Sequence, residues 1–291
     1  MSHLRLWLLA ARPRTLPAAI APVLVGTALA GSEDIFRVGP FVAALVGSVF
    51  IQIGTNLSND YSDARRGADT EDRLGPVRVT AGGLMPPRRV LVGTYVAFGV
   101  AVAAGLYLAA VSGWELLVVG AASILAGVLY TGGPRPYGYE GLGELFVFAF
   151  FGLVAVAGSY FVQTEDLRWE AVVLGVPVGL LAAAILVVNN IRDVDTDRRA
   201  GKRTLVVRLG RERVRTLFVG MVAGAFLVPV ALVPPLSPWL LLVLAAVPLV
   251  PPLVLTVRSR TDGPALNDAL AATGRLLAVF SVLLALGVLL S

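Results

Sequence analysis

Two clusters of amide and carboxylate side chains interrupt a strongly apolar chain: Asn56-Leu-Ser-Asn-Asp60-Tyr-Ser-Asp63 and Asn189-Asn-Ile-Arg-Asp193-Val-Asp195-Thr-Asp197. Each lies where a long apolar run meets polar sequence, and an acid at such a boundary is costly unless a cation joins it. At 3.6 residues per turn, Asn189, Asp193 and Asp197 fall within about 80° of helical arc, and Asn56, Asp60 and Asp63 within about 60°. Both clusters therefore present oxygen on one side of a helix. Oxygen-only ligands suit a hard cation such as Mg²⁺, which leaves positions for water and substrate phosphates when only a few carboxylates hold it. Asp60, Asp63, Asp193 and Asp197, with Asn56 and Asn189, are the candidate metal ligands; capping and salt bridging are the alternative roles.

Gln52, one turn before Asn56, carries the polar stripe back into the apolar run, which favours ligation over capping for Asp60 and Asp63. Asp69, Glu71 and Asp72, crowded among Arg65, Arg66, Arg73 and Arg78, read more simply as a solvated loop. Lys202 is the only lysine among 24 basic residues and follows Asp197 by five positions. A compact ammonium there suits a phosphate as a point charge. Asp195 is two positions off the stripe and a weaker ligand. A third word, Tyr130-Thr-Gly-Gly-Pro-Arg135-Pro-Tyr-Gly-Tyr139-Glu-Gly-Leu-Gly-Glu144, is first of all a turn. It also brings Arg135 between phenols, ahead of Phe146, Phe148, Phe150 and Phe151, and aromatic faces stabilise cations. The same aromatic spacing equally fits packing or lipid contact. Arg12, in Arg12-Pro-Arg-Thr-Leu-Pro17, is either an orientation signal or a carboxylate binder. The candidate catalytic set is thus Asp60, Asp63, Asp193, Asp197 and Lys202. Asn56, Asn189, Arg65, Tyr130, Arg135, Arg12 and Tyr139 are candidate substrate contacts.

The elements that must position these residues follow from composition. The chain of 291 residues is 57% hydrophobic and only 15% charged, with a mean hydropathy of +0.81, far from the balance of a soluble domain. Nine apolar stretches near 20 residues predict an all-α polytopic membrane protein: residues 15–31, 40–57, 90–111, 114–131, 144–163, 170–191, 214–233, 237–257 and 271–290. Continuous apolar runs, rather than short alternating ones, favour helices over a transmembrane barrel. With the N-terminus inside, every Lys and Arg except Arg37, Arg168 and Arg275 sorts to one side. The positive-inside rule then predicts a cell-membrane protein with a cytoplasmic N-terminus, an outside C-terminus and both Asp clusters on the cytoplasmic face. The net charge of +5 is explained by this asymmetry and by anionic headgroups, so no nucleic-acid partner is needed.

With no cysteine, disulfides and thiolate metal sites are excluded. His3, the only histidine, reads as a solvated tail residue. The N-terminus imitates a signal peptide, with three arginines, an apolar run and Ala28-Leu-Ala30, but its removal would delete the first span. Spans 2 and 6 end in related words, Asp63-Ala-Arg-Arg-Gly67 and Asp197-Arg-Arg-Ala-Gly201. Four spans separate them. That spacing suggests a single domain over 1–291 built by duplication, about 15–131 and 144–257 with a ninth helix added, the two patches facing a central cavity near the cytoplasmic mouth.

These words together resemble the UbiA-type intramembrane aromatic prenyltransferases, whose members have nine helices and two Asp-rich motifs. The nearer likeness is to the subgroup that prenylates 1,4-dihydroxy-2-naphthoate in menaquinone biosynthesis. It rests on Arg12-Pro-Arg-Thr-Leu-Pro-Ala-Ala, Thr55-Asn-Leu-Ser-Asn-Asp-Tyr-Ser-Asp63, Tyr130-Thr-Gly-Gly-Pro, Gly141-Leu-Gly-Glu144 and Asn189-Asn-Ile-Arg-Asp193. The first motif has no third Asp four positions after Asp63, so Asp63 or Asp69 completes the first metal site. Pro134 stands where hydroxybenzoate-type relatives often carry Lys, as expected of the naphthoate subgroup. The resemblance implies Mg²⁺ as cofactor, a polyprenyl diphosphate and 1,4-dihydroxy-2-naphthoate as substrates, and electrophilic aromatic substitution with loss of CO₂ and pyrophosphate. It implies that Lys202 and Arg135 join the metal on the diphosphate.

Three rival readings follow from the same residues. Asp60-x-x-Asp63 is similar to the CDP-alcohol phosphotransferase motif, but the Gly required after the second Asp is Ala64 here. A divalent-cation transporter would use paired acidic patches, yet spans 3 to 9 hold no centrally placed Asp or Glu. Hydroxybenzoate or homogentisate could replace the naphthoate as acceptor.

Overall fold

Helices form where the apolar runs lie, and two of them continue straight through the polar clusters. The computed structural model describes residues 2–68 and 74–291; Asp69, Glu71, Asp72 and Arg73 lie outside the described residues, and with them the Asp69 alternative for the first metal site. In chain order the helices are α1 (His3–Ala11), α2 (Pro17–Gly31), α3 (Val38–Arg65), α4 (Pro87–Ser112), α5 (Glu115–Leu129), α6 (Gly143–Val147), α7 (Ala155–Thr164), α8 (Trp169–Arg199), α9 (Leu205–Leu209), α10 (Arg211–Ala231), α11 (Val250–Ser259) and α12 (Gly263–Leu289). α6 and α7 form one span, Gly143–Thr164, through a π-helical stretch, Phe148–Val154. Pro238–Leu249, in 3₁₀ geometry, likewise runs into α11 as the span Pro238–Ser259.

Among the described residues, seven of these segments are long and apolar enough to cross a membrane. An eighth follows if α1 and α2, which meet at 53°, count together, and the apolar α5 is shorter at 15 residues. The nine predicted stretches thus all form helix, but two differ from full straight spans. The bend has a local cause: Pro13 disfavours helical geometry at Arg12, which takes a left-handed conformation with φ 52°.

α8 is the most buried span and α12 the next; α8 packs on α10, α12 and the π-helical stretch, and α12 packs on α2 and Pro238–Leu249. The approach of the π-helical stretch to α8 requires glycine. A Cβ on Gly152 would come within 2.6 Å of the Gly175 carbonyl oxygen and of the Gly179 Cα. Small residues bring the two backbones together, and the wider π turn shifts the register of the phenylalanines along the span. α3 packs against α4, and α5 against both. With 28 and 31 residues, α3 and α8 are about 42 and 46 Å long. A hydrocarbon core of about 30 Å cannot cover either, so their polar last turns project at one boundary.

Candidate functional site

The repeated words at the ends of α3 and α8 are, first, helix stops. Gly67 and Gly201 have φ of 63° and 72°. The Ala68 and Lys202 amides donate to the Asp63 and Asp197 carbonyls, at 3.0 and 2.9 Å, and the two glycine amides donate one residue further on. This is the six-to-one and five-to-two pattern that satisfies a helix's last carbonyls. Its consequence is to fix each aspartate three residues before the cap, and to turn Lys202 back toward the acids.

Both clusters open on one cavity of about 340 Å³. Its polar end is lined by Asn56, Asn59 and Asp63 from α3, by Asn189, Asp193 and Asp197 from α8, and by Arg12, Arg78, Tyr130, Tyr139 and Lys202. Its walls then become apolar, with Phe146, Phe150, Phe151 and Val154 on one side and Ala44, Leu108 and Leu116 on the other. The centre of the polar end is Asp63, which is 1% exposed. Tyr139 donates to its Oδ1 at 2.7 Å, while Arg78 Nη2 and Lys202 Nζ stand 3.3 and 3.5 Å from its Oδ2. Lys202 Nζ is also 3.9 Å from Asp197 Oδ1 and 4.8 Å over the Tyr139 ring. One ammonium thus joins the two helices' carboxylates.

Asp193 is neutralised from its own helix. Arg192, 2% exposed, donates from Nε to Oδ1 at 2.8 Å and from Nη2 to Oδ2 at 2.6 Å. The same guanidinium reaches Asn189 Oδ1 at 2.8 Å and Asn267 Oδ1 at 2.7 Å. Asp60 does something else. Its two oxygens accept the Val79 and Thr80 amides at 3.1 and 2.9 Å, and it is not among the cavity's lining residues. The arc explains why: Asp60 sits about 100° around α3 from Asn59, at the edge of the stripe, and faces the loop before α4. Asn56 lines the cavity, but its amide nitrogen is used on the Ala11 carbonyl and Thr15 hydroxyl, at 3.0 and 3.1 Å. Gln52 adds a third bond to Thr15 at 3.1 Å. These bonds hold the strained turn that carries Arg12 into the cavity.

Tyr130, half-buried just past the end of α5, lines the cavity beside Tyr137 and Tyr139. Arg135 and Arg65 do not line the cavity. Arg135 is 82% exposed and pairs with Glu140 at 3.5 Å; Arg65 donates to Tyr61 at 3.2 Å. Asp195 pairs on the surface with Arg211 at 3.0 Å.

Sequence reasoning gave no role to Arg78, Arg192 or Asn59. Asn59, whose Oδ1 accepts from Thr131 at 2.9 Å, is three residues after Asn56 and was legible as a member of the same arc. Arg192 stood inside the second cluster. Nothing local marks Arg78, whose position depends on the path of a loop.

The donor set suits magnesium in kind, since it is all oxygen, and a cation already stands between Asp63 and Asp197. Among the described residues no three carboxylates come together around one point. An ion there would complete its shell from water and a phosphate, as magnesium commonly does.

Residues 19–277 match the sequence profile described as the UbiA prenyltransferase family. A 1,4-dihydroxy-2-naphthoate octaprenyltransferase from Mycobacterium tuberculosis is 42% identical over 98% of this chain and 97% of its own. One from Escherichia coli is 38% identical over 100% and 97%. Among solved structures, a UbiA homolog from Archaeoglobus fulgidus bound to GPP and Mg²⁺ superposes with a TM-score of 0.65, at 14% identity, over 96% of this chain and 99% of that one.

Proposed function

The chain belongs to the UbiA prenyltransferase family, and from that premise we infer that it transfers a polyprenyl group from polyprenyl diphosphate to 1,4-dihydroxy-2-naphthoate, in the biosynthesis of menaquinone. The observation that carries this reading is identity of 38% or more, over nearly the whole chain, to two enzymes named for that reaction. The family match sets aside the transporter and phosphotransferase readings. The allylic C–O bond breaks, and its electrons leave with pyrophosphate. The ring carbon bearing the carboxylate forms the new C–C bond, and CO₂ departs, returning its bonding pair to the ring as demethylmenaquinol forms.

The cavity's two ends match the two demands of this reaction. Asp63 and Asp197, with Asn56, Asn189 and Asp193 around them, would hold magnesium, which supplies charge neutralisation to the diphosphate, while Asp60 holds the loop that carries Arg78. Lys202 and Arg78 turn from Asp63 toward the diphosphate as it enters, adding positive charge where negative charge develops. Tyr139 holds Asp63 in place, and the Tyr130 hydroxyl lines the same polar end. Arg12 takes the acceptor's carboxylate. The apolar walls receive the prenyl tail, and Phe146 and Phe150 face the allylic cation while water is kept out. Arg65 and Arg135, exposed at the mouth, act through their field on an anionic donor rather than by contact.

The protein is a multi-pass membrane protein. We place it in the cell membrane with the site on the cytoplasmic face and the C-terminus outside, supported by the one-sided basic residues. We also read it as one domain of two related four-span halves and a ninth helix, because α3 and α8, the second span of each half, end in the same stop and share the cavity.

The test is turnover by purified protein in lipid nanodiscs with Mg²⁺, a prenyl diphosphate and a panel of aromatic acids. With the naphthoate, mass spectrometry should find a prenylated product lacking the carboxyl group, and EDTA should abolish it. A product only with hydroxybenzoate or homogentisate, or one retaining the carboxyl group, would overturn the reading.

A further inference from the structure

A second concavity lies on the outside of the bundle, against α3 and α4, and shares no lining residue with the cavity above. It is a groove of about 490 Å³. Phe50 and Ile53 form one wall and Val92 and Val96 the other. From Arg88 to Val96 it follows α4 for about 12 Å. Trp7 of α1 closes one side: a Cβ on Gly93 would meet its indole carbons at 2.6 and 2.7 Å. α1 also exposes Leu4 and Leu8, as a helix lying in a membrane interface does.

Arg88 and Arg89 stand at the groove's end, in the first turn of α4. Both are exposed. Neither side chain has a hydrogen bond or ion pair with any described residue. Two adjacent cations in a first turn also oppose the helix dipole. A single anion would relieve both the mutual repulsion and the dipole. The feature is thus a paired cation at the membrane boundary, continuous with an apolar trough leading toward the bilayer's interior.

We propose that this groove binds an anionic glycerophospholipid from the leaflet on the site's side, its phosphate between Arg88 and Arg89 and one acyl chain along α3 and α4. The charge pattern and the apolar trough together fit that molecule and no soluble anion. Occupancy supports the active site through a short path. Leu57, which also lines the groove, belongs to a small core with Val79, Met85 and Val90. Val79 adjoins Arg78 and gives its amide to Asp60. A filled groove therefore steadies the loop that aims Arg78 at Asp63.

Native mass spectrometry of delipidated full-length protein, titrated with phosphatidylglycerol, phosphatidylcholine or inorganic phosphate, tests the proposal. The wild type should retain one phosphatidylglycerol at least about tenfold better than phosphatidylcholine, and the Arg88→Gln/Arg89→Gln variant should lose that preference. Val96→Trp, on the lipid-facing side, fills the trough while keeping both arginines, and should lose retention as well. In nanodiscs, turnover should rise with the phosphatidylglycerol fraction in the wild type and stay flat in the double variant. Equal retention of the two lipids, an unchanged double variant, or displacement by inorganic phosphate would each overturn the lipid assignment. So would a dimer on delipidation with the groove protected, which would give the surface to a second copy of the chain. Failure here leaves the prenyl-transfer reading untouched, because neither arginine belongs to its machinery.

Discussion

At the ends of α3 and α8 an aspartate three residues before the cap, Asp63 or Asp197, is followed by basic residues and a glycine with positive φ. The backbone bonds that close the two helices are the same. What differs is the source of positive charge. Asp63 draws on cations far away in sequence, Arg78 in a loop and Lys202 after the other cluster. Asp193, four residues after Asn189 as Asp60 is four after Asn56, takes its counter-charge from the adjacent Arg192. The residue after the glycine is Ala68 in one case and Lys202 in the other. A shared backbone device thus supports two electrostatic roles: an assembled hub on α3, open to exchange its cations for a ligand's, and a fixed pair on α8. Buried charges must be compensated in both, but only the hub can trade partners without exposing an unpaired group.

The sharpest way to break this comparison is Asp63→Ala. It removes the group on which Tyr139, Arg78 and Lys202 converge, and turnover should fall by about a thousandfold, or about 4 kcal/mol in the barrier. The helix stop uses only the Asp63 carbonyl, so the protein should still fold and insert. Turnover within about tenfold of wild type would show that the hub is not the metal and diphosphate site.

Arg192→Met should do the opposite: its main effect is on stability. Asp193 would be left buried without its bidentate partner, at about 3 kcal/mol, near the low end for breaking such a pair because the cavity offers some water. Thermal unfolding in detergent should show the loss, with Arg78→Met much less affected. Equal losses for the two would erase the distinction between fixed pair and exchangeable hub.

The helical arcs were legible because period 3.6 places Asn56, Asp63, Asn189, Asp193 and Asp197 on inward stripes whatever the tertiary detail. The stops were legible as repeated words, though their geometric meaning needed the glycine φ values. Arg78 was not legible, since loop paths obey no period. Arg192 escaped for another reason: neighbours on a helix do not face each other, and only the length of the arginine side chain lets it wrap back onto Asp193. Arg135 misled because being the only basic residue between two spans says nothing about which way it points; it points to solvent. The bend at Arg12 was foreshadowed by Pro13, and the shortness of α5 by nothing in its composition.

Asp60 sharpens the comparison most finely, because the sequence groups it with Asp63 while the structure gives it the amides of Val79 and Thr80. If its work is to hold that loop, Asp60→Asn should keep one amide acceptor and lose the charge that strengthens both bonds, a deficit of about 1 to 2 kcal/mol. That corresponds to a fall in turnover of about five- to thirtyfold. The loss should come through Arg78, so the apparent affinity for the prenyl diphosphate should weaken while that for magnesium stays near the wild-type value. The Asp60→Asn/Arg78→Gln double variant should then be little worse than Arg78→Gln alone, since both changes remove the same contribution. A direct ligand would behave differently: magnesium affinity would drop steeply, and the double variant would show the two losses added. Measuring turnover against magnesium at saturating donor, in all three variants, separates a carboxylate that binds the ion from one that positions the arginine beside it.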